Sequence, residues 1–487
     1  MRNPKENLQK SSSSSAAEAE LGNLPEWNLA DLYAGPDAAE FKADMEKAAS
    51  EATRFAETYQ GKLDGILRDG KGGDALAGVI RDYEAMSDLF GRIGSFMMLY
   101  YVGDTTDADR QKFYGDVSQK LTAVTTGLVF FELEFNRLDG DALESAMDAS
   151  TGLAHFRPWI EDLRKEKPFQ LEDRVEQLFH EKSVTAAGAW NRLFDETMAA
   201  LKFDVAGEEL ALEPTLNMLV SKDAAKRKTA AEALATVFKS NISLFASITN
   251  TLAKDTEISD RWRGFDDVAD SRHLANRVEG PVVDALIAAV RGSYPKLSHR
   301  YYAMKAKWLG MDRMMHWDRN APLPDQDDSK ICWDDAQATV LNAYAGFAPE
   351  MADIARRFFD ERWIDAPVRP GKSSGAFAHP TVPSAHPYVM LNYQGKTRDV
   401  MTLAHELGHG VHQVLASDQG ALMASTPLTL AETASVFGEM LTFRSLLKQT
   451  SDPKTRKILL AGKVEDMLNT VVRQIAFYCF EREVNLA

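Results

Sequence analysis

Apolar residues recur along most of this chain at three- and four-residue steps, the spacing that gives a helix one buried face. Phe41, Met45, Ala48, Ala49, Ala52 and Phe55 keep such a stripe, and a long helix is expected over residues 73–101. Phe113, Val117, Leu121, Val124, Leu128 and Phe131 predict another over 111–135. The aromatic residues in these stripes (Phe90, Phe96, Tyr100, Tyr101, Phe130, Phe131 and Phe135) read as core packing, not as a cofactor box. Gly140, Gly152, Pro158 and Pro168 then punctuate shorter helices over 153–165, 174–182 and 190–201. Alternation on either side of a Gly-containing turn predicts a hairpin over 201–212. Helix resumes over 221–262, over 281–308 with a kink at Pro295, and over 333–363. Residues 386–393, rich in aromatic and β-branched side chains, read as a strand. No proline interrupts 388–416, so Val400, Leu403, Leu407 and Val411 predict a continuous helix there. The fold class is mostly α, with a small β element beside that last helix.

Length and composition narrow the picture. A chain of 487 residues exceeds one ordinary core. The first 24 residues, with Ser11 to Ser15 in a row, read as a disordered polar tail. An N-terminal helical domain is expected over 25–200 and a second domain over 201–487. The net charge of −16 argues against nucleic acid or an anionic membrane as partner. Two distant cysteines, Cys332 and Cys479, argue against a disulfide framework and fit a reducing compartment. Neither a signal peptide nor a membrane-spanning run stands out, so a cytoplasmic protein is expected, its oligomeric state left open.

The chemistry concentrates late. Five of the ten histidines fall between His379 and His412. The helix over 400–411 carries His405-Glu406-Leu407-Gly408-His409. Residues four apart share a helix face, so His405 and His409 can offer two imidazoles to one metal ion. Glu406 then stands where a general base is needed. Zinc in a catalytic site takes three protein ligands and a water. A third histidine six residues beyond His409 is absent, since Leu415 occupies that place, and Asp418 is nine residues on, at the helix end. A glutamate on a second, antiparallel helix is the alternative. Residues 417–420 supply the reversal, Thr429 can cap the next helix, and Glu432 and Glu439 fall two turns apart on one face. Glu432 is therefore the expected third ligand. Glu439 is expected behind the ligands, taking a histidine's other N–H. His412, one turn past His409, is expected to line the site or hydrogen-bond there without ligating.

His405-Glu406-Leu407-Gly408-His409 together with Glu432-Thr433-Ala434-Ser435 resembles the thimet oligopeptidase and oligoendopeptidase F family of zinc peptidases, most nearly its bacterial oligoendopeptidase F branch. The segment from Trp27 to Tyr33, Lys305-x-Lys307-Trp308-Leu309-Gly310, residues 386–393 and Asp399 to Leu403 carry the resemblance further. It implies a helical zinc-peptidase fold in which the N-terminal domain encloses a channel, with one zinc per chain. It also implies hydrolysis of short unstructured peptides, with Gly375 and Ala376 beside the substrate. On this reading Glu406 moves the proton of a metal-activated water, Tyr388 lines the site, and the 388–393 strand pairs with an extended peptide through a free edge. Family members continue beyond residue 487, and their later segment supplies a histidine and tyrosines that stabilise the tetrahedral intermediate. The expectation is thus a catalytic domain truncated at its C-terminus. A zinc-organised peptide-binding protein, or an inactive fragment, is the second reading.

Overall fold

Helices form along the apolar stripes, and several of them end at a glycine or begin at a proline. The structure is a computed structural model that describes residues 20–326 and 329–487. Most of the expected polar tail therefore lies outside the described residues. The stripe from Phe41 to Phe55 becomes the helix Ala39–Tyr59, with Phe41, Ala48, Ala52 and Phe55 buried. It packs against the 31-residue helix α1 (Gly72–Val102).

Four long helices expected from periodicity are each two helices. The 111–135 stretch divides into Ala108–Thr126 and Val129–Arg137, with the turn at Gly127 and Leu128. The 221–262 stretch divides at Asn241. Pro295 does not kink a helix but separates Gly280–Ser293 from Ser298–Trp308, because it has no N–H to donate. The 333–363 stretch is α2 (Trp333–Ala345) and α3 (Pro349–Asp360), with Pro349 opening the second piece. α2 and α3 both bury their apolar faces in one core, so the apolar period runs on across that break.

The expected hairpin is present as β1 (Phe203–Val205) and β2 (Glu208–Leu210). A second, three-stranded sheet has β3 (Ile364–Asp365) and β4 (Phe377–His379) on either side of β5 (Tyr388–Met390). β5 pairs parallel with β3 and antiparallel with β4. This corrects the expectation of a free edge along residues 388–393, because both sides of β5 are occupied and the edge strands are β3 and β4. Tyr388 is likewise corrected: it is fully buried, and its hydroxyl donates to the Asn28 carbonyl at 2.7 Å instead of lining the site. Trp27 packs edge-on against its ring, with centroids 5.9 Å apart. The Lys372 ammonium, fully buried, ties the strand ends by donating to the Asp365 carboxylate at 2.7 Å and to the Pro367 and Leu391 carbonyls.

Beyond the sheet come three helices, α4 (Thr397–Ala416), α5 (Leu428–Gln449) and α6 (Pro453–Leu486). α4 buries Val400, Leu403, Leu407 and Val411, the stripe expected for it. Burying each such side chain contributes about 1.5–3 kcal/mol. The largest core joins Leu32, Phe41 and Phe96 to Trp333, Phe358, Trp363, Tyr388, Leu403 and Leu407. A second core, holding Phe55, Phe130, Phe131, Phe135 and Phe156, lies among the N-terminal helices. Among the described residues no helix is long and apolar enough to cross a membrane, and Cys332 and Cys479 are free thiols.

Candidate metal centre

α4 is fixed at both ends. The Asp399 carboxylate accepts the N–H groups of Gln394 and Lys396 at 2.9 and 3.0 Å, which starts the helix. The chain leaves through a 3-10 turn at Ser417–Gln419. There Glu84 of α1 accepts the Leu422 N–H at 3.3 Å and holds the reversal. Thr429 does not cap α5 as expected. Pro427 precedes the helix, and the Thr429 hydroxyl donates to the Asn276 carbonyl at 2.7 Å.

Two glycines let α4 and α5 approach closely. A Cβ at Gly408 would sit 2.6 Å from the Ala434 carbonyl oxygen, and one at Gly438 would sit 2.9 Å from that of Ala404. The hydroxyl of Tyr344, from α2, donates to the Ala404 carbonyl at 2.5 Å and fills the space beside the crossing. Substituting alanine at Gly408 is expected to push the helices apart. A stability loss of about 1–3 kcal/mol is expected from overpacking of this kind, together with weaker metal binding. Denaturant unfolding and chelator competition measure the two effects, and a G408A protein equal to the parent in both would refute this account of the crossing.

The close crossing brings the three expected ligands together. The Nε2 atoms of His405 and His409 lie 3.1 and 3.6 Å from Oε2 of Glu432. One donor atom from each residue falls within 4.8 Å of the others. Ligands about 2.0–2.1 Å from a tetrahedral ion sit roughly 3.3 Å apart, so this His₂Glu set fits a zinc-type ion. The Glu432 side chain is 59% exposed, against 27% and 16% for His405 and His409, so the centre opens on its Glu432 side. The buried Ser435 hydroxyl donates to Glu432 Oε2 at 2.6 Å. Hydrogen bonding from His405 outweighs desolvation and holds the Glu432 carboxyl at about 2.

Glu406 is buried. Burial pushes its carboxyl up to about 7, with Glu432 adding to the rise, while His405 and the Ala378 N–H act against it. Ala378 lies on β4, and its carbonyl accepts from the Gln413 side chain at 3.2 Å. β4 is therefore tied at this residue to α4 by the Gln413 side chain. Burial alone would keep His405 neutral, but hydrogen bonds to Glu432 and Glu439 raise it to about 9 in the absence of metal. A metal ion entering the centre therefore displaces a proton from this ring. Burial lowers His409.

The other expected site residues fall into place as follows. Oε2 of Glu439 lies 3.4 Å from Nδ1 of His405, behind the ligands. His412 lies close enough to His409 to disfavour its charge, but it is outside the ligand triad. Gly375 is exposed and has its N–H 3.0 Å from Glu213 Oε1, while its carbonyl accepts from Asn392 at 2.9 Å. Ala376, half-buried, packs on the main core. His379 and His386 hold structure: one bonds Ser95 at 2.9 Å, and the other stacks on Trp363 at 3.9 Å with Asp31 at its Nε2.

The model of peptidase family M3 matches residues 217–485, more than half of the chain and all of the metal centre, and the oligopeptidase F model matches residues 134–203. The chain belongs to peptidase family M3. It is 28% identical over 393 residues to the group B oligopeptidase PepB of Streptococcus agalactiae, covering 79% of this chain and 65% of that one. It is 24% identical over 468 residues to the oligopeptidase PepF of Bacillus subtilis, covering 94% and 68%. The chain thus spans about two thirds of the length of these curated relatives. In fold it is similar to oligoendopeptidase-F from Enterococcus faecium, with a TM-score of 0.64 at 20% identity, covering 92% of this chain and 75% of that one.

Several residues of this M3 chain's centre escaped the reading of the sequence. Gly408 carried a usable signal, since an isolated glycine inside a helical pattern marks close packing. Tyr344, Ala378 and Lys463 carried none. They reach the centre only through the fold.

Proposed function

We propose that this M3 chain is a zinc-dependent endopeptidase acting on short, unstructured oligopeptides, with Glu406 as its general base. The observation that carries this reading is the convergence of His405, His409 and Glu432 beside a buried glutamate. Zinc bound there supplies Lewis acidity, polarising the scissile carbonyl and acidifying a water. The chain's own residues do the rest. Burial sets the proton affinity of the Glu406 carboxylate near neutrality, with His405 and the Ala378 N–H favouring its charged form. Glu406 can therefore take a proton from the attacking water and pass it to the leaving amine without a large mismatch in either direction. Family membership and the oligopeptidase names of the relatives support peptides as the substrate class.

The test is metal content measured together with cleavage of a quenched peptide. We expect one zinc per chain, loss of cleavage on chelation, recovery on adding zinc back, and no comparable digestion of a folded protein. Cleavage indifferent to chelation would overturn the proposal. Bound zinc without any cleavage would leave a peptide-binding protein in its place.

A further inference from the structure

We infer that Lys463 is a positioning residue of the metal centre: it holds the carboxylate of Glu439 against Nδ1 of His405, so that Nε2 of that ring stays turned toward Glu432. The inference rests on the reading of His405, His409 and Glu432 as metal ligands.

Glu439 divides its two oxygens between different partners. Oε1 meets the Lys463 ammonium at 2.5 Å, and Oε2 faces His405 Nδ1 at 3.4 Å. The contact with the ring is long for a hydrogen bond, so it does not by itself fix the carboxylate. The contact with the ammonium is short, and the two side chains are only 9% and 14% exposed. A buried carboxylate that loses its cation must find water or another donor. The other acid facing this point makes that loss worse. Asp466, one turn beyond Lys463 on α6, lies close enough to repel Glu439, with Arg398 and then Lys463 as the opposing charges. Removing Lys463 thus takes away the cation paired with Glu439 and one of the two that offset its repulsion with Asp466. Glu439 then has reason to turn away from His405, and the ring loses the partner that sets its orientation and tautomer.

α6 is itself held where Lys463 needs it. Two residues on, Glu465 accepts from the buried ammonium of Lys305 and from the Tyr301 hydroxyl. The chain of contacts therefore runs from the helix Ser298–Trp308 through α6 to α5 and the ligand on α4. A carboxylate behind a ligating histidine is a general feature of metal sites. A buried lysine fixing that carboxylate from a third helix is a feature of this fold.

The experiment is a double-mutant cycle on zinc affinity, read by chelator competition with the whole chain. K463M is expected to raise the zinc dissociation constant about 10- to 100-fold, the usual effect of losing a partner behind a ligand. K463R should restore it to within about threefold, because the cation is kept. In an E439Q background, K463M should change the constant by less than about twofold, since the residue through which it acts has already lost its charge. The absorption spectrum of the cobalt(II)-loaded protein gives a second readout, and K463M should alter its visible bands while K463R should not. Should K463M alone fail to fold, K463R and the E439Q, K463M pair still carry the test. Zinc affinity unchanged by K463M would overturn the inference. So would equal weakening in both backgrounds, because Lys463 would then act by some route other than Glu439. A parent protein that holds no zinc at all would instead overturn the ligand reading beneath it.

Discussion

Glu406→Gln is expected to keep the metal and lose turnover by about a hundred- to ten-thousand-fold, the range that a positioned acid–base group supplies. The substitution is nearly isosteric. The link between β4 and α4, from the Gln413 side chain to the Ala378 carbonyl, stays in place. His405, His409 and Glu432 are untouched. What disappears is a group able to receive and release a proton. Metal content by elemental analysis and turnover of a quenched peptide separate these effects. An E406Q protein that lost its metal would show that Glu406 is structural, and one within tenfold of parental turnover would show that the base lies elsewhere.

His409→Ala is expected to abolish stoichiometric metal binding while leaving the fold intact. The two imidazoles and Glu432 form a closed set, with Glu432 Oε2 at 3.1 and 3.6 Å from the two Nε2 atoms. Removing one member leaves two ligands, fewer than the three protein ligands of a catalytic zinc site. The cost to folding should be small. His409 is only half-buried, and its neighbours Leu407 and Val411 keep α4 packed on the core. Far-ultraviolet circular dichroism should therefore match the parent, while dialysis against a weak chelator should strip the metal. Full stoichiometry after that treatment would remove His409 from the ligand set.

Much of this centre was legible in the sequence because its logic is local. His405 and His409 are related by helix period alone, and Glu432 by the next helix after a short reversal. Glu439 then follows from the same face. What stayed hidden depends on contacts between distant segments. β5 reads as a strand with an open side because nothing in residues 386–393 reveals that Ile364 and Asp365 pair with it. Tyr388 looks like a substrate contact until Asn28 arrives at its hydroxyl. Helix breaks at Gly127, Asn241, Pro295 and Gly346 were masked for a different reason. Apolar three- and four-residue steps continue in the sequence on both sides of each break, and α2 and α3 even share one core. Thr429 shows the limit of local chemistry, since a residue of capping type is taken up by the Asn276 carbonyl.

The hydrogen bond from Tyr388 to Asn28 spans 360 residues of chain, whereas the three proposed ligands all lie within residues 405–432. Closing the longer loop costs more entropy and returns nothing until its two ends meet. The helix pair that carries the proposed ligands can assemble from contacts made nearby in the chain. The contacts that bury Tyr388 of the central strand wait on the docking of the Trp27–Asn28 segment. On contact order alone, the α4–α5 pair is expected to form ahead of them.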